Sequence, residues 1–411
     1  MIKIKQFFTS KLFKNSSIYF LITFASKIIP FFILPLMTKY LSPEQYGIAA
    51  MYQMYMVMIL LIVGFELNRY LDVYYFKVSK KEFEKYLSTI ISVVFISSLF
   101  FTTVVLFFSL FIEIPNINYY WIGILPIVVM IKFIYGINDN LLRNEEKPIL
   151  YGKYTIGETV FISLISLLLA YCYHDWTSKA YGFVITIIVL GFFSYRRLRQ
   201  EYNLQFFIDS SILKKAIIYS MPFVFGLNLA NIIFANSDKI ILLHFYDYTV
   251  VGIFTVALVF ASIVGFVTDS FMKAWIPTFY KKLHSDDKTI DQQSLYVFIG
   301  LAMLSIVTIF VLMYIMKYMI DEKYYDAIEI MPYIGMAYVF RIAEQLLLQY
   351  INFYEKTTKL YFVIIIAILS CVFSAYFLVD LYGIIGMAYS ISLFYILLIG
   401  YYFYIFKTLR K

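Results

Sequence analysis

The sequence predicts an all-α membrane protein of twelve transmembrane helices in two six-helix lobes, and three observations predict it. The first is composition: 62% of the residues are hydrophobic and 15% charged, with mean hydropathy +0.79. A soluble domain carries roughly a quarter charged residues. The second is that an apolar window of about 20 residues, long enough to cross the hydrocarbon as a helix, recurs twelve times in 411 residues. The third is a repeat. Lys39-Tyr40-Leu41-Ser42-Pro43-Glu44-Gln45-Tyr46-Gly47-Ile48 follows one apolar run, and Phe245-Tyr246-Asp247-Tyr248-Thr249-Val250-Val251-Gly252-Ile253 follows another. Ser42 matches Asp247, Gly47 matches Gly252 and Ile48 matches Ile253, all offset by half the chain. Ser and Asp are both favoured N-caps, so each copy reads as helix, short turn, capped helix. The repeat sets the lobes at residues 1–205 and 206–411.

In order, the first lobe holds spans at 16–40, 44–66, 86–111, 119–141, 152–173 and 179–195. The first contains Pro30 and Pro35, which let it bend. The second starts at the capped turn, the third follows Lys80, Lys81 and Lys85, and the fourth opens on Tyr119-Tyr120-Trp121. The fifth follows Pro148, and the sixth stops at Arg196. The second lobe repeats the series at 216–245, 248–270, 295–317, 326–351, 358–379 and 383–406. Its first span is unusually long, as the repeat requires. Met1 to Lys14 sets Ile4, Phe7, Phe8, Leu12 and Phe13 among lysines. With no small-residue cleavage site after it, it reads as an interfacial amphipathic helix rather than a cleaved signal.

Most of the 34 Lys and Arg fall in the termini and in alternate loops that share the side of the N-terminus. The opposite side holds Lys39, Lys179, Lys239, Lys317 and Lys323, with a rim of Tyr and Trp. Cytoplasmic loops carry the excess of Lys and Arg, so both termini are expected to be cytoplasmic, in agreement with an even span number. The net charge of +8 is thus a matter of orientation, and nucleic acid is not an expected partner. Cys172 and Cys371 make neither a disulfide framework nor a metal pattern. His174, His244 and His284 sit at or beyond span ends and read as interfacial polar residues. No nucleotide-binding, zinc-hydrolase or serine-hydrolase motif is present. Catalytic residues and metal ligands are therefore not expected, and the chain is read as a non-enzyme.

Six spans per repeat give both halves the same orientation, so they are related by an axis along the membrane normal. That is the parallel-repeat arrangement of alternating-access carriers. Several motifs also resemble a known family. They are the proline-bearing first helix, the turn Leu41-Ser42-Pro43-Glu44-Gln45-Tyr46-Gly47, and Asp238-Lys239 followed by Val251-Gly252-Ile253-Phe254. The basic turn Leu142-Arg143-Asn144-Glu145-Glu146-Lys147-Pro148 and its echo Asn352-Phe353-Tyr354-Glu355-Lys356 belong with them. Together they resemble the polysaccharide-exporter (Wzx-type O-antigen flippase) branch of the multidrug/oligosaccharidyl-lipid/polysaccharide exporter superfamily. The resemblance implies a MATE-like pair of lobes around a cavity and outward flipping of undecaprenyl-pyrophosphate-linked oligosaccharide, for O-antigen, capsule or similar polysaccharide. It further implies the bacterial inner (plasma) membrane, and as partners the lipid-linked substrate, membrane lipids, a polysaccharide polymerase and glycosyltransferases. No cofactor is expected beyond a coupling H+ or Na+.

Ions deep in hydrocarbon cost at least about 2.5–3.5 kcal/mol on insertion scales, so such residues are paired or functional. Lys27, Lys132 and Arg341 lie within spans 1, 4 and 10, and Asn228 and Asn231 form a polar stripe on span 7. These five are the expected substrate-binding residues: cations suit phosphate oxygens and amides suit sugar hydroxyls. Glu344, Asp238 and Glu158 are the candidates for coupling or gating; Glu158 lies roughly 10 Å into span 5 at 1.5 Å per residue. The deep set reads as net cationic and amide-rich. Against each functional reading stands a structural one: Arg341 with Glu344, Asp269 with Lys273 and Asp139 with Arg143 all have the spacing of intrahelical pairs.

The expected activity is therefore lipid-linked oligosaccharide flipping. The alternatives are a cation-coupled multidrug exporter of the same superfamily, whose cationic cargo calls for deep acids, and a membrane glycan polymerase or ligase, which calls for a large outer loop. By resemblance, a lipid II flippase would carry two further spans. The orientation is directly testable. Reporter fusions after Lys288 and Lys411 are expected to read as cytoplasmic and one near Asp247 as external; an external reading at Lys411 contradicts the twelve-span count.

Overall fold

A computed structural model of the chain describes residues 11–109, 111, 114–285, 287, 289–354 and 360–409. Residues 1–10 of the expected interfacial segment lie outside that set, and the described part, from Lys11, already belongs to the first long helix. The elements of the first half are α1 (Lys11–Tyr40), α2 (Pro43–Gly64), α3 (Leu67–Tyr74), α4 (Lys80–Phe108), α5 (Tyr119–Gly123), α6 (Leu125–Asn144), α7 (Pro148–Tyr173) and α8 (Thr177–Tyr202). Then come α9 (Ser210–Phe223), a π-helical turn (Val224–Asn228), α10 (Leu229–Phe245), α11 (Tyr248–His284) and α12 (Ile290–Met319). A 3-10 turn (Glu322–Tyr324) leads to α13 (Asp326–Phe353), α14 (Leu360–Tyr382) and α15 (Ile384–Leu409). Among the described residues no strand forms, beyond an isolated bridge between Ile114 and Ile117.

In their described residues all twelve expected spans fall mainly on helix, and ten helical stretches are long and apolar enough to cross a membrane. The other two differ for identifiable reasons. Span 216–245 is interrupted: Pro222 in the last turn of α9 removes a backbone donor, and the π-helical turn carries the chain into α10. Span 326–351 is the single helix α13, made more polar by Arg341, Glu344 and Gln345. Span 4 is entered through the short helix α5, and Pro126 in the first turn of α6 begins its main part. The eighth span outruns the expected 248–270, because α11 stays helical to His284 by burying Met272, Phe279 and Leu283.

The chain divides into two compact units, Met1–Leu41 with Met51–Phe225, and Ser42–Ala50 with Gly226–Lys411. In the first, α1 packs on α7, α7 on α8, α6 on α8, and α4 on α6. In the second, α10 packs on α14, α14 on α15, α13 on α15, and α12 on α13. Span for span these are the same four pairings, so each unit solves the burial of its helix faces in the same way.

The two repeated turns meet inside the second unit. Ser42 Oγ accepts from the Gln45 N–H at 3.2 Å, and Asp247 Oδ1 accepts from the Val250 N–H at 3.0 Å. Each cap satisfies an otherwise orphaned donor in the first turn of its helix. Beyond the caps the two backbones touch. A Cβ on Gly47 would lie 1.9 Å from the Tyr248 carbonyl oxygen, and one on Gly252 1.9 Å from the Pro43 carbonyl oxygen. Each carbonyl belongs to the residue four before the opposite glycine, so the contact is two-fold symmetric. Small residues permit such close approach of helices in membranes.

Gly252→Ala is therefore expected to lower stability by about 1–3 kcal/mol, the usual cost of overpacking. Gly300→Ala, where no atom lies within 4 Å of the added Cβ, is expected to change it little. Thermal melting of the purified variants in one detergent checks this; equal melting of the two contradicts a backbone contact at Gly252.

Candidate functional site

In the first unit the functional groups lie along one face of α6. Lys132 forms an ion pair with Glu158 of α7, and its ammonium stands 4.6 Å from the Tyr135 ring centroid. One turn on, Gly136 has no atom within 4 Å of where a Cβ would be, which leaves open space beside the pair. Asp139 follows, with Oδ1 buried and without a hydrogen-bond partner among the described residues. Asn140 donates to Asp72 Oδ2 of α3 at 2.9 Å and accepts from Arg143. Spacings of three and four keep these groups on one helical stripe. The stripe runs from the middle of α6 to its C-terminal end.

The second unit builds a related cluster from α11 and α13. Arg341 Nη2 lies 3.1 Å from Asp269 Oδ2, and Gln345 donates to Asp269 Oδ1 at 2.9 Å. Gly265 makes the room: an added Cβ would meet the Tyr338 ring at 2.7 Å and Arg341 Nη1 at 3.3 Å. Glu344 is buried on α13, one turn beyond Arg341. The side chains of Lys132 and Glu158 are 26% and 17% exposed, and those of Arg341 and Asp269 28% and 27%. Both pairs are thus partly shielded, to a similar degree.

The structure brings Lys132 and Glu158 together and sets Arg341 and Glu344 one turn apart on α13. Lys27 is exposed on α1, Asn231 is exposed on α10, and Asn228 is half-buried in the π-helical turn. Asp238 is buried beside Lys239, with the nearest oxygen at 3.3 Å.

Three expected intrahelical pairs are corrected. Asp269 faces Arg341 and Gln345 across helices rather than Lys273. Arg143 bonds to Asn140 rather than Asp139, and the ion pair of Arg341 is with Asp269 rather than Glu344. The expectation of a net cationic deep set is corrected as well, since Lys132 and Arg341 each face a carboxylate. Reading one helix at a time cannot reveal partners on another. Asp269, Asp139 and Asp72 escape sequence reasoning as site residues for that reason. Asp139 and Glu344 nevertheless stand at the repeat offset of half the chain, a signal present in the sequence.

At the C-terminal end of α6, Glu145 gathers a second network. It accepts from Arg197 and from the Tyr202 hydroxyl at 2.5 Å, and pairs with Lys147 at 2.7 Å. Arg197 also donates to Asn138 Oδ1 at 2.6 Å and to Glu201 at 2.7 Å. Burial pushes the Glu145 carboxyl up, but the bonds from Lys147, Tyr202 and Arg197 outweigh it and hold the pKa below its ordinary 4.5. This network ties α6 to α8 and fixes the register of the stripe.

A family model described as polysaccharide biosynthesis protein matches residues 12–283. An Lsg locus putative protein of Haemophilus influenzae is 22% identical over 295 residues, 69% of this chain and 69% of its own. An uncharacterized membrane protein of the same organism is 21% identical over 364 residues, 85% of this chain and 86% of its own. Among solved structures, the lipid II flippase MurJ in an inward closed conformation matches with TM-score 0.71 and 16% identity, over 95% of this chain and 87% of that one. An inward-facing multidrug resistance MATE family transporter of the MOP superfamily matches with TM-score 0.65 and 12% identity, over 93% and 94%. At these identities the structural likeness establishes the fold alone.

The Glu145 network carries a pH prediction. A carboxylate whose folded pKa is depressed contributes stability that is complete above its unfolded value and is lost as pH falls through the folded one. The stability difference between the wild type and Glu145→Gln is therefore expected to be constant above the ordinary value of 4.5 and to shrink below it. Denaturation in detergent across that range checks the sign; a difference that grows on acidification contradicts it.

Proposed function

Because the chain belongs to the polysaccharide biosynthesis protein family, we propose that it flips a lipid-linked oligosaccharide from the cytoplasmic to the outer leaflet. The substrate is an undecaprenyl-pyrophosphate-linked repeat unit of O-antigen, capsule or a similar polysaccharide. The lobes 1–205 and 206–411 alternate in access, in a bacterial inner membrane with both termini cytoplasmic. The lipid tail stays in the bilayer while the headgroup crosses. A polymerase and glycosyltransferases are the proposed functional partners.

The observation that supports this reading is the pair of partly open, deep ion pairs, Lys132–Glu158 and Arg341–Asp269. Each holds a cation in hydrocarbon at low cost by giving it a counter-charge. A pyrophosphate at either cluster takes over its cation, Lys132 or Arg341, and releases its carboxylate, Glu158 or Asp269, so the headgroup exchanges for a resident carboxylate. Lys27, Asn228 and Asn231 add donors along its path. A released carboxylate can take up H+ or Na+, which gives Glu158, with Glu344 and Asp238, a coupling or gating role. With the cytoplasm negative, outward movement of an anionic headgroup is assisted by ~2.3 kcal/mol per charge per 100 mV.

The second reading, a cation-coupled multidrug exporter, draws support from the deep carboxylates Asp139 and Glu344, which suit cationic cargo. Flipping of lipid-linked oligosaccharide in vesicles under an imposed potential separates the two. Lys132→Gln and Arg341→Gln are each expected to slow flipping at least about tenfold, a loss of ~1.4 kcal/mol in transition-state stabilisation. Arg341→Lys is expected to retain most of the rate, because a flexible hydrated pyrophosphate needs charge more than a fixed fork. Wild-type flipping by the double Gln variant contradicts the proposed site.

A further inference from the structure

A cavity of about 480 Å³ opens on the first unit between α4, α6 and α8. Ser88 and Ser92 of α4, Ile134 of α6, Ile188 and Tyr195 of α8, and Phe206 of the segment after α8 line it. That segment is tied down as a wall. The Gln205 N–H donates to Ser88 Oγ at 3.3 Å, the Phe207 N–H to Ser92 Oγ at 3.2 Å, and the Asp209 N–H to Thr89 Oγ1 at 3.3 Å. These hydroxyls satisfy a backbone that would otherwise stand unpaired at a membrane surface. The rest of the lining is predominantly apolar.

The charge beside the groove is ordered by helix register. Lys81 and Lys85 precede Ser88 on its face of α4, and Arg199 follows Tyr195 by four residues on α8. All three are exposed. The acids nearby are Glu82, exposed, and Glu84, half-buried, on α4, Glu201 on α8, which accepts from Arg197, and Asp209, whose carboxylate is engaged in capping α9 through the Ser211 and Ile212 N–H groups. A larger cavity near the opposite end of α4, about 820 Å³ and lined by Val104, Phe108, Ile114 and Tyr119 among others, has no Lys or Arg in its described lining. Neither lining contains Lys or Arg, but the smaller groove has these three basic residues within two helical turns of its lining on α4 and α8, and the larger one has none so close along its helices.

We infer that this groove holds an anionic glycerophospholipid of the cytoplasmic leaflet, with one acyl chain in the slot and its phosphate against Lys81, Lys85 and Arg199. Juxtamembrane basic residues attract anionic lipid at the cytoplasmic surface, and the concave wall converts that attraction into a site. The site lies within one unit and is independent of the proposed transport activity; only its leaflet rests on the proposed orientation.

The test uses the full chain in nanodiscs of phosphatidylcholine and phosphatidylglycerol, with a photoactivatable phosphatidylglycerol as probe. Crosslinks are expected on the peptides spanning 88–95, 188–195 and 204–206, at least several-fold above those from an equally labelled phosphatidylcholine. Ile188→Trp, which fills the slot, is expected to remove them for both lipids. Reversing the charge beside the groove with Lys81→Glu, Lys85→Glu and Arg199→Glu is expected to abolish the preference while leaving chain contact. Val104→Trp in the other cavity should change neither. Equal labelling by both lipids in the wild type, a preference that survives the charge reversal, or displacement of phosphatidylglycerol by equimolar undecaprenyl phosphate each overturns the proposal. Wild-type mapping keeps the test decisive if a variant does not fold.

Discussion

A cation in hydrocarbon has no water to solvate it, and the paired cation of each cluster meets that constraint in the same way. Lys132 is held by Glu158 from the next helix, and Arg341 by Asp269 from α11. Removing one partner of a buried pair typically costs about 3–5 kcal/mol, because the other is left uncompensated. Here the pairs are partly exposed, so the cost is smaller and a ligand of the same sign as the carboxylate can compete for the cation. The same pairing that lets the helices carry charge also leaves it available for exchange.

The rest of the architecture keeps these pairs in place. Four helix pairings recur in the two units and hold the equivalent helices α6 and α13, which carry Lys132 and Arg341, against their neighbours, although the counter-charges come from non-equivalent helices. Glu145 and Arg197 secure α6 to α8 at the C-terminal end of α6. In the second unit, the absence of a side chain at Gly265 lets Tyr338 and Arg341 approach α11. The paired turns at Gly47 and Gly252 bring backbones together so closely that no side chain fits between them. Packing in membranes relies on such small residues because burial of apolar area offers little drive between helices.

Much of the fold is legible in the sequence because hydrophobicity and length mark a span wherever lipid surrounds it. The caps at Ser42 and Asp247 are readable from residue type and spacing alone. Two spans are harder: the π-helical turn after Pro222 and the polar middle of α13 weaken the apolar signal where the chain departs from a uniform apolar helix. The candidate site is legible only in part. Lys132, Glu158 and Arg341 stand out as charges among apolar residues. Register along one helix points Asp269 at Lys273, however, and says nothing of the neighbouring helix that carries its partner. Partnership across helices is a tertiary fact.

Counter-ion exchange makes an unusual demand on affinity, and binding of undecaprenyl-pyrophosphate-linked oligosaccharide to the purified protein measures it directly. If Glu158 competes with the pyrophosphate for Lys132, Glu158→Gln binds the lipid several-fold more tightly than the wild type and Lys132→Gln binds it more weakly. Equal weakening by both substitutions would contradict exchange and leave the pair a structural one.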